Sequence, residues 1–428
     1  MRAVEGEGGY PTVGVDPDES HVAHTSGMPG PLPDGEAVPS DGALPDSALR
    51  AVGARGFGVY VHVPFCTSRC GYCDFNTYAP GDLPGWRTDG YADTVLAELE
   101  LAARTLGTAP AVDTVFVGGG TPTLLPTDDL ARILEAIDKT WGLAPDAEVT
   151  TEANPESVTP ESLRALRAAG YTRISLGMQS VAPGVLRVLD RKHSPGRAAQ
   201  AATEARAAGF DHVNLDLIYG TPGETADDFA ASLATAIGAG VDHVSAYALI
   251  VEDGTRLATR IRRGELSQPS DDVAADRYLA AEAALSAAGF GWYEVSNWAT
   301  TAAGRCRHNL LYWTGGDWWG VGPGAHSHVG GVRWWNVKHP AGYAQRLAEG
   351  HSPGAGREML TAQDQHTEDV MLRLRLASGL PLDVLDPAGR LAAERAQADG
   401  LLELDGGVAV LTLRGRLLAD AVVRDLLG

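Results

Sequence analysis

The chain has 428 residues, of which 44% are apolar, and a formal net charge of −21. That length allows two or three domains around a sizeable core, and the acidity argues against sequence-independent binding of nucleic acid. No apolar run approaches a membrane span, no signal-peptide core opens the chain, and 4 cysteines are too few for a disulfide framework, so the expected location is the cytoplasm with no integral membrane segment.

Residues 1–55 are rich in Gly, Pro, Asp, Glu and Ser and lack periodic apolar positions, which predicts a disordered N-terminal extension. From Phe57 onward, short β-type runs begin near Gly58, Thr114, Glu148, Arg173, His212 and His243. Helical stretches fall between them, near 88–107, 127–141, 160–169, 195–209 and 224–239. Thr127-Asp-Asp-Leu and Thr159-Pro-Glu-Ser supply helix-start chemistry. This alternation predicts an α/β fold: a parallel sheet with outer helices, built as a partial (β/α)6 barrel over 56–254. The alternation stops near residue 250, short of a full eight-fold barrel. An α+β extension follows over 255–358, rich in Gly, Trp and His. Residues 359–428 read helix, helix, hairpin, helix, a small winged-helix-like module whose wing turns at Asp405-Gly-Gly407. Acidic residues outnumber basic ones there, so packing or partner docking fits better than DNA binding.

Cys66, Cys70 and Cys73 form a C-x3-C-x2-C run just after the first strand, with Cys306 far away. A zinc knuckle would need a fourth ligand, and no His/Cys pair at finger spacing follows. Three thiolates on a cubane [4Fe-4S] cluster leave one iron open for a small molecule. Radical S-adenosylmethionine (SAM) proteins use that arrangement, with the SAM amino and carboxylate groups on the open iron. In parallel α/β sheets ligands bind at the carboxyl ends of strands. There the sequence places Gly118-Gly-Gly-Thr-Pro122, Glu152, Gln179, Arg191 and Asp216. The glycines allow close backbone approach and offer N–H donors. Carboxylates suit ribose hydroxyls, and Gln or Arg suits a ligand carboxylate. Each residue alone is equally a satisfied polar group in a turn; their recurrence at successive strand ends favours a site.

With these motifs in place, the chain resembles the oxygen-independent coproporphyrinogen III oxidase-like branch of radical SAM proteins. The matching stretches are Tyr60-Val-His-Val-Pro-Phe-Cys, Cys70-Gly-Tyr-Cys-Asp-Phe, Val117-Gly-Gly-Gly-Thr-Pro-Thr, Glu152-Ala-Asn-Pro and Asn214-Leu-Asp-Leu-Ile-Tyr-Gly. The tail segment from Leu411 to Asp420 also resembles the family's ending. The resemblance implies SAM contacts at Tyr60, Tyr72, Gly119, Gly120, Thr121, Glu152, Gln179, Arg191, Asp216 and Ala248. The decarboxylating oxidases carry a further cysteine two residues after the third cluster cysteine, where this chain has Phe75. That difference points to the HemW-type haem chaperones of the same superfamily. Cys306-Arg-His-Asn-Leu-Leu-Tyr-Trp313 contains H-N-x-x-Y-W, similar to the haem-associated motif of that group. It makes His308 the first candidate for a haem ligand, flanked by Tyr312 and Trp313, with a packed core histidine as the plain alternative. His326 and His328 are further candidates. The resemblance implies haem and haem-accepting proteins as partners, and suggests a homodimer promoted by the cluster. The second reading is an enzyme, the oxidative decarboxylase of coproporphyrinogen III.

Overall fold

The computed structural model describes residues 35–83 and 88–428. Helix α1 (Asp46–Ala51) precedes β1 (Phe57–Val63). Then come α2 (Tyr91–Leu106), β2 (Val112–Gly119), α3 (Thr127–Trp141), β3 (Leu143–Ala153), α4 (Pro160–Ala168) and β4 (Arg173–Gln179). They are followed by α5 (Pro183–Val188), α6 (Arg197–Ala207), β5 (His212–Tyr219), α7 (Ala226–Gly238) and β6 (His243–Ala248). Strands β1 to β6 lie side by side in chain order, each parallel to its neighbours, and the sheet stays open. This is the partial barrel that the alternation predicts.

Helix boundaries follow local chemistry. Thr159 caps α4 and Thr225 caps α7, each through a reciprocal capping box, with Ser162 and Asp228 as the third-position partners. Thr127 does not cap α3: the cap position is Pro126, and Asp128 and Asp129 instead place negative charge in the first turn. Strand alternation sorts the two faces of the sheet. Val59, Val61, Val115 and Val117 point outward into one core with Val95, Leu99, Ile133 and Ile137 of α2 and α3. The opposite, concave face carries Tyr60, Phe116, Glu152, Ser175 and Asp216.

The next region finishes both edges. It contains α8 (Arg256–Arg262), α9 (Asp271–Ala287), β7 (Gly291–Glu294), β8 (Asn297–Ala299), α10 (Arg307–Trp313) and β9 (Asp317–Val321). It continues through β10 (His326–Val329), β11 (Val332–Asn336), α11 (Pro340–Ala348) and β12 (Gly354–Met359). Antiparallel β8 and β7 cover the β6 edge; β9 adds parallel to β1, and β10 to β12 extend that side. Buried Glu98 of α2 accepts hydrogen bonds from Gly322 N–H, the Asn336 amide and the Tyr343 hydroxyl, tying the outer helix to this extension.

The last elements are α12 (Ala362–Arg373), β13 (Leu380–Pro381), α13 (Pro387–Ala398), β14 (Leu402–Asp405), β15 (Val408–Leu411), α14 (Leu413–Leu417) and α15 (Ala419–Leu427). The hairpin turns on Gly406 and Gly407, both at positive φ (55° and 82°), as a tight turn of this hand requires. Val370, Leu374, Leu385, Leu402, Leu411 and Leu426 form a separate core here. The Arg416 guanidinium lies 4.2 Å over the Trp292 ring and 2.9 Å from the Glu282 carboxylate, holding this part to α9 and β7.

Residues 35–55 differ from the expected disorder. Glu36 exchanges backbone hydrogen bonds with Arg357 of β12, Gly53 N–H donates to Asp317, and Ala48 is fully buried. A Cβ on Gly330 would stand 2.5 Å from the Ala48 Cα, so the two segments approach closely. Backbone pairing on a sheet edge needs no apolar periodicity, which is why composition misses it. The rest of the expected extension, residues 1–34, lies outside the described residues.

Helix α10 closes the floor of the concave face. Glu148 of β3 accepts the backbone N–H groups of Arg307 and His308 at 3.1 and 3.0 Å, and the Arg173 guanidinium at 2.9 Å. Arg173 also donates to the carbonyls of Gly304 and Arg305. Removing one partner from such a buried pair strands the other charge. The Glu148→Ala variant is therefore expected to lose about 3–5 kcal/mol of stability in urea denaturation. A loss below about 1 kcal/mol would contradict the floor's dependence on this contact.

A candidate cluster and cofactor site at the strand ends

The cysteine loop leaves β1 at the carboxyl rim and is held from several directions. Cys66 N–H bonds Tyr78 O at 3.0 Å, and Tyr78 N–H bonds Pro64 O at 2.7 Å. Gly71 N–H donates to Leu189 O at 3.0 Å, while Leu257 N–H donates to Gly71 O at 2.8 Å, so the segments around α5 and α8 staple the loop. At Gly71 a Cβ would meet the Asp190 carboxylate at 2.6 Å, so a side chain there would lift the loop from its support.

All three thiols are free and partly buried, and each has a donor or hydroxyl beside it. Thr121 Oγ1 lies 4.0 Å from Cys66 Sγ, Arg191 Nη1 3.7 Å from Cys70 Sγ, and Thr77 Oγ1 4.0 Å from Cys73 Sγ. Burial pushes the Cys73 thiol up to about 11 and raises Cys66 as well; bound metal charge reverses that preference. Among the described residues no three His, Cys, Asp or Glu side chains converge on a point that one metal ion would fill. A cubane asks for a different arrangement, since each thiolate holds a different iron and the sulfurs stand apart around the cluster. The three free thiols of one stapled loop fit that demand.

The glycine run meets this loop directly. Gly120 N–H donates to Val63 O and Thr121 N–H to Phe65 O, both at 2.7 Å. Gly119 N–H donates to Glu152 Oε2 at 2.9 Å. These N–H groups are therefore already used and do not present themselves to a ligand. The glycines instead allow close packing: a Cβ on Gly120 would lie 2.5 Å from Phe65 O, and one on Gly119 2.6 Å from the His62 ring.

Successive strands bring the other expected residues to the same rim. Glu152 of β3 is raised to about 7, first by burial and then by the charge of Asp216. Asp216 of β5 is raised by burial, although the Ser175 hydroxyl (2.8 Å) and the Asn214 amide (2.7 Å) donate to it. Gln179 ends β4 at a register shift with φ of 64°, a left-handed conformation costly for a residue with a side chain and typical of sites. Arg191, in the loop after α5, donates to Gly177 O at 2.9 Å, and its Nε is buried without a partner. That orphaned donor beside Cys70 fits an incoming carboxylate. Tyr72 packs with Ile218, Leu249 and Leu257 near Cys70 and Arg191, and Ala248 is exposed at the end of β6. Tyr60 lies farther down the concave face, its ring 6.3 Å from Phe116 and its hydroxyl 2.9 Å from His62 Nδ1.

His308 lies elsewhere, on the floor. It is 1% exposed, and both ring nitrogens are engaged: Nδ1 with Thr114 Oγ1 at 2.8 Å and Nε2 with the Tyr312 hydroxyl at 2.7 Å. Its ring stacks on Phe116 at 5.2 Å, and burial lowers it to about 3. In this conformation neither ring nitrogen of His308 is free to take an iron, and its surroundings are those of a packed core histidine. Asn309 and Trp313 both reach buried Glu294, so the H-N-x-x-Y-W motif consists of two i,i+4 pairs, one anchored on Thr114 and one on Glu294. His328 Nδ1 is engaged by Gly316 O at 2.9 Å, whereas the His326 ring is exposed and stacks on Trp335 at 6.1 Å.

Several residues of the site escaped the sequence reading. His62 bonds Asn76 O at 2.9 Å, and Asn76 bonds the carbonyls of Pro323 and Lys338, clipping the cysteine loop to the β9–β11 side. Ser175 and Asn214 orient Asp216. Their signal was period-two alternation: each shares the concave face with a residue already chosen.

Comparison with known proteins places this geometry. The radical SAM superfamily model matches residues 60–236, and the HemN C-terminal domain model matches 360–418. A protein named heme chaperone HemW from Mycobacterium tuberculosis (strain ATCC 25618 / H37Rv) is 64% identical over 380 residues, covering 89% of this chain and 97% of that protein. Another of that name, from Bacillus subtilis (strain 168), is 32% identical over 381 residues, covering 86% and 98%. The solved structure of coproporphyrinogen III oxidase (HemN) from Escherichia coli, a radical SAM enzyme, superposes with a TM-score of 0.75 at 24% identity, covering 90% of this chain and 94% of that one. It shows a shared fold. A family of this kind implies a [4Fe-4S] cluster and SAM, which the stapled thiols and the rim residues fit. With identity this high running through barrel and C-terminal segment alike, the chain belongs to the HemW family of the radical SAM superfamily.

Proposed function

We propose that this protein is a cytoplasmic haem chaperone that binds haem and passes it to haem-dependent acceptor proteins. The observation that carries the reading is the 64% identity to a heme chaperone over 97% of that protein. Phe75 supports it against the decarboxylase, because the position where the resemblance implies a further oxidase cysteine holds a phenyl ring, 38% exposed. Among the described residues no helix is long and apolar enough to cross a membrane.

In this reading Cys66, Cys70 and Cys73 hold the cluster, which supplies an open iron as the anchor for SAM. Arg191 and Gln179 donate to the SAM carboxylate, and carbonyls of the Gly118–Gly120 run accept from its ammonium group. Glu152 and Asp216 accept from the ribose hydroxyls, while Tyr60, Tyr72, Thr121 and Ala248 line the cleft. Both carboxylates must be charged to accept well, and burial works against that until the ligand's donors arrive.

Glu152 gives this placement a pH signature. A carboxylate ionising near 7 binds a hydroxyl donor better above that pH than below it. SAM affinity should therefore fall by about tenfold between about pH 8 and about pH 6, and the Glu152→Gln variant should bind weakly with a flat profile. In the free protein the sign is opposite: the same raised value weakens the fold as pH climbs from the ordinary carboxylate range toward 7. Equal pH profiles for SAM binding in the two proteins would remove Glu152 from the cleft.

Haem and oxidase readings separate in one preparation. Anaerobically reconstituted protein should take up one haemin per chain, seen as a Soret band, and should not convert coproporphyrinogen III with SAM and a reductant. Sustained conversion would favour the decarboxylase instead. His308→Ala should lose about 2–3 kcal/mol of stability through its stranded partners, with the Soret band of the folded protein unchanged. A lost band in the folded variant would restore His308 as the ligand.

A further inference from the structure

An open groove of about 500 Å³ runs beside α5, with Arg191 in its lining. Arg187, Arg191 and Lys192 line it, with Pro183 and Leu186 as an apolar wall and Glu156 as the one carboxylate. Glu156 is already occupied, accepting the Ser194 N–H at 2.6 Å, and that bond first of all holds it below its ordinary range. Arg187 and Lys192 are exposed, and neither has a carboxylate partner among the described residues. A chain of net charge −21 thus keeps three cations together in one concavity, and among the described residues Arg187 and Lys192 stand without a carboxylate partner. Such a concentration attracts anions and raises their local population. Arg191 joins this groove to the cluster loop, since its Nη1 lies 3.7 Å from Cys70 Sγ.

We infer that this groove binds the carboxylate side chains of a tetrapyrrole, with Arg187 and Lys192 as the pairing cations and Pro183 and Leu186 against the ring edge. The inference rests on the haem reading above and adds where the ligand's charged edge docks. A porphyrin carrying two propionates offers two carboxylates on one edge of an apolar plane, which matches two free cations beside an apolar wall. Because Arg191 both lines the groove and lies beside Cys70, the haem and SAM sites would share one guanidinium.

The test uses the full-length reconstituted protein and the Arg187→Ser/Lys192→Ser double variant, titrated with haemin and with haemin dimethyl ester, which lacks both carboxylates. SAM binding serves as the folding control and should be unchanged, because neither residue touches the cleft. The double variant is expected to bind haemin about tenfold more weakly, with no difference between the proteins for the ester. Unchanged haemin affinity, or an equal loss for haemin and ester, would overturn the groove while leaving the haem reading intact. Failure of the wild-type protein to take up either compound would overturn the haem reading itself, and the groove's assignment with it.

Discussion

An open parallel sheet with a polar concave face is the constraint on which the rest of the structure depends. A closed barrel fills its interior with its own side chains; six parallel strands that stop short cannot. Their concave residues need partners from elsewhere, and the chain supplies them in order. The floor is α10, whose N-terminal N–H groups end on Glu148 and whose carbonyl-rich approach ends on Arg173. The β1 edge is extended by β9 to β12 and the β6 edge by β8 and β7. The cysteine loop lies at the carboxyl rim of this face.

Electrostatics at the rim follow from the same geometry. Glu152 and Asp216 share a water-poor face: burial raises both, and the charge of Asp216 makes Glu152 harder still to ionise. Among the described residues neither forms an ion pair like the one that fixes Glu148 on the floor, although the Arg191 charge acts on Asp216 from a distance. The difference separates support from site: the floor carboxylate is saturated with donors, whereas the rim carboxylates retain acceptor capacity that a ligand's hydroxyls would satisfy. Arg191 shows the complementary case, a guanidinium with a carbonyl and a thiol beside it and one buried N–H left over.

Much of this was legible in the sequence. The six strands and their helices were readable because period-two apolar runs alternate with longer helical stretches, and the same pattern puts Glu152 and Gln179 at the ends of their strands. Other features depend on contacts across long sequence separations. Nothing in the H-N-x-x-Y-W motif shows that Thr114, far upstream, takes one His308 nitrogen, or that Glu294 holds Asn309 and Trp313. The glycine run was read as a source of free N–H donors, but pairing with Val63 and Phe65 uses them, and that pairing exists only once the cysteine loop has folded back. Residues 35–55 escaped notice because their apolar anchors, Val38, Leu44, Ala48, Leu49 and Val52, follow no single helical or strand period, and the backbone bonds to β12 leave no mark in composition.

The central claim is that Cys66, Cys70 and Cys73 leave one iron facing the rim formed by Glu152, Gln179, Arg191 and Asp216. Electron paramagnetic resonance of the reduced, reconstituted cluster tests it most directly. Addition of SAM should change the signal in the wild-type protein, and the change should be lost in an Asp216→Ala variant that keeps its iron. A wild-type signal indifferent to saturating SAM would contradict the account, because it would mean that the open iron does not face the cleft these residues form.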